Sequence, residues 1–251
     1  MTPPRHNIYF ISDLHLGADY LVPARDYEDR VVRFLESIRH DAAELYMLGD
    51  ILDYWYEYRT VVPRGYIRFF GALARLADSG VKIYWFIGNH DIWLFDYLRD
   101  EIGITIIDGV LEKEIYGKYF FMSHGDGVGE MPATFRAMRN LFRSPVAQKL
   151  YAAIHPRWTI PFAHRWSKSS RGYTPHPTVT ANAEAEPLVK FSQSWLTSHP
   201  DINYFVFGHR HIMLDKEISP TCRTVILGDW IHHFSYAGFD GDTLSLHRFK
   251  S

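Results

Sequence analysis

The 251-residue chain has a single cysteine, Cys222, so no intrachain disulfide can form, and a zinc site would need histidine and carboxylate ligands in place of thiolates. Long hydrophobic runs are also missing: the longest, such as Val81 to Ile87, are far too short to cross a bilayer. The first residues, Met1-Thr-Pro-Pro-Arg-His-Asn7, lack the apolar stretch of a signal peptide, so a cytoplasmic location is expected. Neither sign of charge dominates. Lys plus Arg number 27 and Asp plus Glu 29, a net charge of −2, which gives no global reason to expect nucleic acid as a partner. There are no internal repeats or low-complexity tracts. With 47% hydrophobic residues the chain can bury a sizeable core as one domain spanning residues 1–251.

One stretch lacks acidic residues altogether. From Met131 to Ala183 there is no Asp or Glu, while Arg136, Arg139, Arg143, Lys149, Arg157, Arg165, Lys168 and Arg171 supply eight positive charges. The rest of the chain keeps 19 basic against 29 acidic residues, so a cationic piece sits in an anionic body and reads as an insertion, residues 131–183. Within it Phe135, Met138, Leu141 and Phe142 follow helical spacing. Ser144-Pro145 has the form that starts a second helix, carrying Val146, Leu150 and Ile154. Pro156 to Trp166 is aromatic and basic without a clean period, and Gly172 to Thr180 reads as loop.

Over the first 90 residues apolar runs (Ile8 to Ile11, Leu45 to Leu48, Val81 to Ile87) alternate with helical patterns. The helices are marked by Val31, Phe34, Leu35 and Ile38, then by Ile67, Phe70, Leu73, Ala74 and Ala77. This predicts β-α-β-α-β with a parallel sheet. Strands predicted at Tyr204 to Phe207, Met213 to Ile218, Thr224 to Leu227, Phe234 to Phe239 and Thr243 to Phe249 suggest a second, largely antiparallel sheet.

Histidine is abundant, at 14 residues, and its placement is telling. Five motifs fall at predicted strand ends: Asp13-Leu-His15, Gly49-Asp50-Ile-Leu-Asp53, Gly88-Asn89-His90-Asp91, Ser123-His124-Gly125-Asp126 and Gly208-His209-Arg-His211. Ligands collect at the carboxyl ends of strands in open α/β sheets, so these loops are expected to meet in one crevice. In extended chain Asp13 and His15 would share a side, as would His209 and His211, each pair facing one ion. Carboxylate, imidazole and amide oxygen suit Mn, Fe, Zn or Co. Seven such groups exceed what one ion accepts from protein and suit two ions sharing a carboxylate. Singly, each motif is more often a turn, a cap or a core histidine; five in order reverse that balance. Asp53, Asp91 and Asp126 are expected to orient ligands or to cap turns. Gly228-Asp229-Trp230 reads as a strand-end turn.

The order of these motifs resembles the calcineurin-like metallophosphoesterase superfamily across Asp13 to His211. The resemblance implies a four-layer αββα fold and two divalent metal ions, commonly manganese. One ion would take Asp13, His15, Asp50 and His211, and the other Asp50, Asn89, His124 and His209. It also implies roles for Asp50, Asn89 and His90 in catalysis, with His90 contacting phosphoryl oxygens or protonating a leaving group. Ile11-Ser-Asp-Leu-His-Leu-Gly17, Gly49-Asp-Ile-Leu-Asp-Tyr-Trp55 and the basic aromatic insertion are similar to the diphosphatases of lipid A synthesis that hydrolyse UDP-2,3-diacylglucosamine.

That similarity implies a lipid-linked sugar-nucleotide substrate, cleaved to UMP and 2,3-diacylglucosamine 1-phosphate, and a helical lid over the acyl chains. A cationic amphipathic surface also fits peripheral attachment to the anionic inner face of the cytoplasmic membrane. No nucleic-acid or obligate protein partner is expected. Candidate substrate contacts are Asn89, His90, Arg136, Arg139, Arg165, Lys168 and Ser169. The best-known form of that family has Gly-Asn-Arg-Asp where this chain has Gly88-Asn89-His90-Asp91, and Arg136 or Arg139 could supply the replaced guanidinium. Competing readings are a broader phosphomonoesterase or phosphodiesterase, a nuclease using the basic segment as a groove, and a metal-site scaffold without turnover.

Overall fold

The computed structural model describes residues 5–21, 23–129, 132–172 and 183–250, without the side chains of 164 and 166–172. The N-terminal half alternates β1 (Asn7–Ile11), α1 (Ala24–Ile38), β2 (Ala42–Met47), α2 (Ile67–Asp78), β3 (Lys82–Phe86), α3 (Tyr97–Ile102) and β4 (Thr105–Ile107). The four strands pair in parallel in that order. A second sheet has the order β5-β6-β7-β9-β8, from β5 (Val110–Ile115), β6 (Lys118–Ser123), β7 (Ile202–Phe207), β8 (Met213–Ser219) and β9 (Cys222–Leu227).

Two expectations about the C-terminal strands are corrected. β10 (Ser235–Phe239) and β11 (Leu244–Arg248) join the first sheet, β10 antiparallel to β1 and β11 antiparallel to β10. The second sheet is mixed, because β6, β7 and β9 run parallel. Period-two patterning reveals which faces of a strand are buried but not which strand lies beside it.

Each layer follows from the alternation. Phe120 and Met122 on β6, with Tyr204 and Val206 on β7, face the first sheet, where Ile8, Phe10, Tyr46 and Phe86 complete a core between the sheets. The intervening Phe121, Phe205 and Phe207 turn outward to pack beneath α7 (Pro187–Leu196) through Leu188. On the far side Val31, Phe34, Leu35 and Ile38 of α1 are all buried, as their spacing predicts. α2 is rotated from the predicted face: Phe69, Ala72, Leu73 and Leu76 are buried and Ile67 is 80% exposed. Helices thus cover both outer faces of two stacked sheets, an α/β fold in four layers.

The basic segment forms α4 (Ala133–Arg143), α5 (Pro145–Ala152) and α6 (Pro156–Gly172). The third helix went unpredicted because Pro161 and the crowded aromatics obscure the period. Val146, Leu150 and Ile154 lie on α5 and just after it but do not pack into the body; Leu150 is 67% exposed. The segment is tied down by hydrogen bonds: Trp93 Nε1 donates to the Phe142 carbonyl (2.9 Å), the Tyr56 hydroxyl to the Gln148 carbonyl (2.7 Å), and the Tyr58 hydroxyl meets Thr159 Oγ1 (2.6 Å). Among the described residues no helix is long and apolar enough to cross a membrane.

Candidate metal centre

All five motifs lie just past strand ends: Asp13 and His15 after β1, Asp50 after β2, Asn89 and His90 after β3, His124 after β6, and His209 and His211 after β7. The loops are joined backbone to backbone. Asp13 donates its N–H to the Gly49 carbonyl (3.1 Å), His15 to that of Asp50 (2.9 Å) and Gly208 to that of His124 (2.9 Å). The Asp13 carboxylate accepts the His209 N–H at 2.9 Å, linking the two sheets.

Three groups of potential ligands result among the described residues; one is His15 with Asp53 and His90, and the other two gather the predicted ligands. Of those two, Asp13, His15 and His211 form one and Asp50, His124 and His209 the other, with donor atoms in each within 4.8 Å of one another. His211 Nε2 is 3.3 Å from Asp13 Oδ1 and 3.2 Å from His15 Nε2. Asp50 Oδ2 is 3.4 Å from His124 Nε2 and 3.9 Å from His15 Nε2, so this carboxylate faces both clusters. Asn89 Oδ1 lies 3.1 Å from His124 Nε2. Imidazole nitrogens converging on carboxylate and amide oxygens, buried or partly buried, fit a pair of divalent cations.

The route to this geometry differs from the sequence argument. Asp13, His15, Asp50, His209 and His211 have φ between 48° and 67°, in the left-handed region, and none of them continues an extended strand. Asp and His tolerate that region better than most residues, and such positions cost on the order of 1–3 kcal/mol unless the surroundings enforce them. A consequence is that His209 and His211 diverge, one to each cluster, instead of facing a single ion.

Close glycines complete the mould. A Cβ on Gly88 would lie 2.2 Å from Asp50 Oδ1, and one on Gly49, whose φ is +84°, would lie 2.6 Å from His124 Nδ1. Asp91 accepts N–H bonds from Asp50, Ile51, Leu52, Gly88 and the Trp85 indole (2.9–3.5 Å), so it shapes the Asp50 loop through backbone and not through a ligand side chain. Burial and the Asp50 charge push its carboxyl up to about 6 despite those donors.

Asp53 Oδ1 is 3.5 Å from both His15 Nδ1 and His90 Nδ1. The second cluster has a different backing, a carbonyl: Leu48 O sits 2.7 Å from His124 Nδ1. Burial lowers His15, and it lowers His209 to about 3. Burial also opposes a charge on His124, but the adjacent Asp50 carboxylate outweighs it and holds the ring well above the ordinary histidine range.

A model of the calcineurin-like phosphoesterases matches residues 6–213. This chain belongs to that family. The phosphoesterase is 42% identical to a UDP-2,3-diacylglucosamine hydrolase from Porphyromonas gingivalis, covering 96% of this chain and 97% of that one. It is 27% identical to a protein of the same name from Nitrosococcus oceani, over 88% and 86% of the two chains. A crystal structure of a dimetal phosphatase from Danio rerio aligns over 97% of this chain and 95% of that one, with 17% identity and a TM-score of 0.49. Family and geometry together make the phosphoesterase a metal-dependent hydrolase with a site for two divalent ions.

Beside the phosphoesterase's clusters opens a cavity of about 500 Å³. Asp53, Asn89, His90, Asp126 and Arg139 are among its polar lining residues, and the basic segment adds apolar side chains such as Phe135, Leu141, Leu150 and Phe162. Asp126, expected to orient a ligand or cap a turn, instead accepts an ion-pair hydrogen bond from Arg139 Nε at 3.2 Å. Arg136 and Arg165 are exposed and are not among the described residues lining the cavity. The side chains of Lys168 and Ser169 lie outside the described residues.

Sequence reasoning placed Gly228-Asp229-Trp230 correctly at a strand end but missed its contact: Asp229 Oδ2 is 3.3 Å from His211 Nδ1. A second Gly-Asp after an apolar strand, matching Gly49-Asp50, was the available signal.

Proposed function

We propose that the phosphoesterase hydrolyses the pyrophosphate of UDP-2,3-diacylglucosamine to UMP and 2,3-diacylglucosamine 1-phosphate. The observation that carries this reading is the cavity running from Asn89 and His90 into apolar walls, which offers one compartment for a diphosphate and its acyl chains. The relative that is 42% identical, a UDP-2,3-diacylglucosamine hydrolase by name, supports it. A polynucleotide would favour a charged groove with stacking aromatics over carbon-lined walls.

In this reading Asp13, His15, Asp50 and His211 hold one cation, and Asp50, Asn89, His124 and His209 the other, Mn2+ in both places. Such a pair supplies Lewis acidity toward a phosphoryl group and lowers the pKa of water. Asp50 keeps its Oδ2 toward both clusters because its Oδ1 accepts the His90 N–H at 2.8 Å. His90 is positioned through Nδ1 by Asp53, whose carbonyl lies 3.2 Å away, and hydrogen-bonds a phosphoryl oxygen. Asp126 aims the Arg139 guanidinium at the diphosphate, in the role of the arginine absent from position 90.

Helices α4 to α6 act as a lid that shelters the acyl chains and excludes water from the reaction. Their exposed cations, Arg136 and Arg165 among them, and apolar side chains such as Trp158 rest on the anionic cytoplasmic face of the membrane.

The test is a parallel assay of Mn2+-loaded protein with UDP-2,3-diacylglucosamine, an aryl phosphate and single-stranded DNA. Release of UMP at a kcat/KM at least a hundredfold above that for the aryl phosphate is expected, with DNA left intact. Comparable turnover of all three would overturn the substrate assignment.

A further inference from the structure

The segment after β9 clasps the Asp13–His15–His211 cluster from behind. Its carboxylate, Asp229, is 1% exposed. Oδ1 accepts the backbone N–H groups of Ile231 (3.1 Å), His232 (2.8 Å) and His233 (3.0 Å) and lies 3.2 Å from His233 Nδ1. Oδ2 faces His211 Nδ1 at 3.3 Å. The neighbouring Trp230 is fully buried against Phe34, ring centroids 5.1 Å apart, and its backbone N–H donates to the Asp13 carbonyl at 3.2 Å. One turn, fixed in the core by an indole, therefore touches both the aspartate and the second histidine of the cluster.

A carboxylate whose first oxygen is occupied by three backbone donors cannot rotate away, so its second oxygen is a fixed acceptor. An imidazole beside it carries its proton on Nδ1 and presents the Nε2 lone pair. For His211 that lone pair is directed at Asp13 Oδ1 and His15 Nε2, 3.3 and 3.2 Å away. His211 also has a left-handed backbone, φ 53°, and its side chain is one-quarter exposed, so its ring has less packing to orient it than those of His15 and His124.

We propose that Asp229 is a positioning residue that selects the His211 tautomer able to ligate a cation in the first cluster. It acts through His211 and does not itself touch substrate or metal. The inference rests on the two-cation reading above. Asparagine in its place keeps the Oδ1 acceptor for the three backbone N–H groups but presents an NH2 donor to His211 Nδ1. The ring proton is then driven to Nε2, where it blocks ligation.

Asp229→Asn and wild type would be compared by Mn2+ titration calorimetry and by bound-metal stoichiometry after equilibrium dialysis. Wild type is expected to bind two ions. The variant should bind one of them about 10 to 100 times more weakly and the other within about twofold, the loss seen when a hydrogen bond behind a metal histidine is removed. In a His211→Ala background the same substitution should add nothing further. Two unchanged binding steps in Asp229→Asn, or an additional loss in the His211→Ala background, would overturn the role of Asp229. Failure of wild type to bind Mn2+ would overturn the two-cation reading instead.

A measurement on the unaltered protein covers the case in which the variant does not fold. Long-range 1H–15N histidine spectra of Zn2+-loaded wild type should show the His211 proton on Nδ1. A proton on Nε2 would reject the proposal.

Discussion

The carboxylate of Asp91 accepts the backbone N–H of Ile51 at 2.9 Å, tying the turn after β3 to the turn after β2. Four further N–H groups, those of Asp50, Leu52, Gly88 and the Trp85 indole, converge on the same carboxylate in a fully buried place. Removing it strands these donors away from water, at about 1–3 kcal/mol for each that finds no new partner. Asp91→Ala is expected to lower the unfolding free energy of the metal-free protein by about 3 kcal/mol or more, measured by urea denaturation. A loss below about 1 kcal/mol would mean the turns hold each other without it.

Gly88→Ala tests the closeness of the same two turns. The added methyl would sit 2.2 Å from Asp50 Oδ1 and 2.4 Å from the Asp50 nitrogen, so the carboxylate facing both clusters must move. A displacement of about 1 Å at a reacting centre costs roughly a hundredfold in rate. We expect kcat to fall by about that factor and the Mn2+ stoichiometry to drop below two. Full activity in this variant would show that Asp50 tolerates displacement.

The cavity should separate substrates by size. Ala147, on α5, lines the cavity and belongs to none of the ligand clusters. With Ala147→Trp, KM for the diacylated substrate should rise about tenfold, the effect of 1.4 kcal/mol of lost binding, while aryl phosphate hydrolysis stays within about twofold. Equal losses on both substrates would place the acyl chains elsewhere.

Metal uptake should depend on pH in a predictable direction. His124 is held well above its ordinary pKa, because Asp50, with Asp13 and Asp126 behind it, outweighs the burial that opposes the charge. In the metal-free protein that shift favours the protonated ring, whose proton a cation must displace. Binding should therefore release protons, and affinity should rise as pH increases from 6 to 8. Calorimetry in two buffers of different ionisation enthalpy measures that release. Proton uptake on binding would reverse the assignment.

The chemistry of the site is legible in the amino-acid order, since aspartate, asparagine and histidine recur at the ends of apolar runs whatever the fold does between them. That order also determined the βαβ beginning, because the pattern Val31, Phe34, Leu35 and Ile38 has the helical period of a one-sided face. The αβ layering followed from that pattern and from the family resemblance. Which strands are neighbours emerged only in the tertiary structure: β10 lies beside β1 and carries β11 on its other edge, across a sequence separation that no local pattern encodes. The spacing of His209 and His211 suggested one shared ion and the family resemblance two; left-handed backbone at both residues sends their side chains to different clusters. The part of Asp229 was only hinted at by its Gly-Asp pair. In sequence it is one turn aspartate among several; only the packing of Trp230 against Phe34 brings its carboxylate behind His211, 18 residues away along the chain.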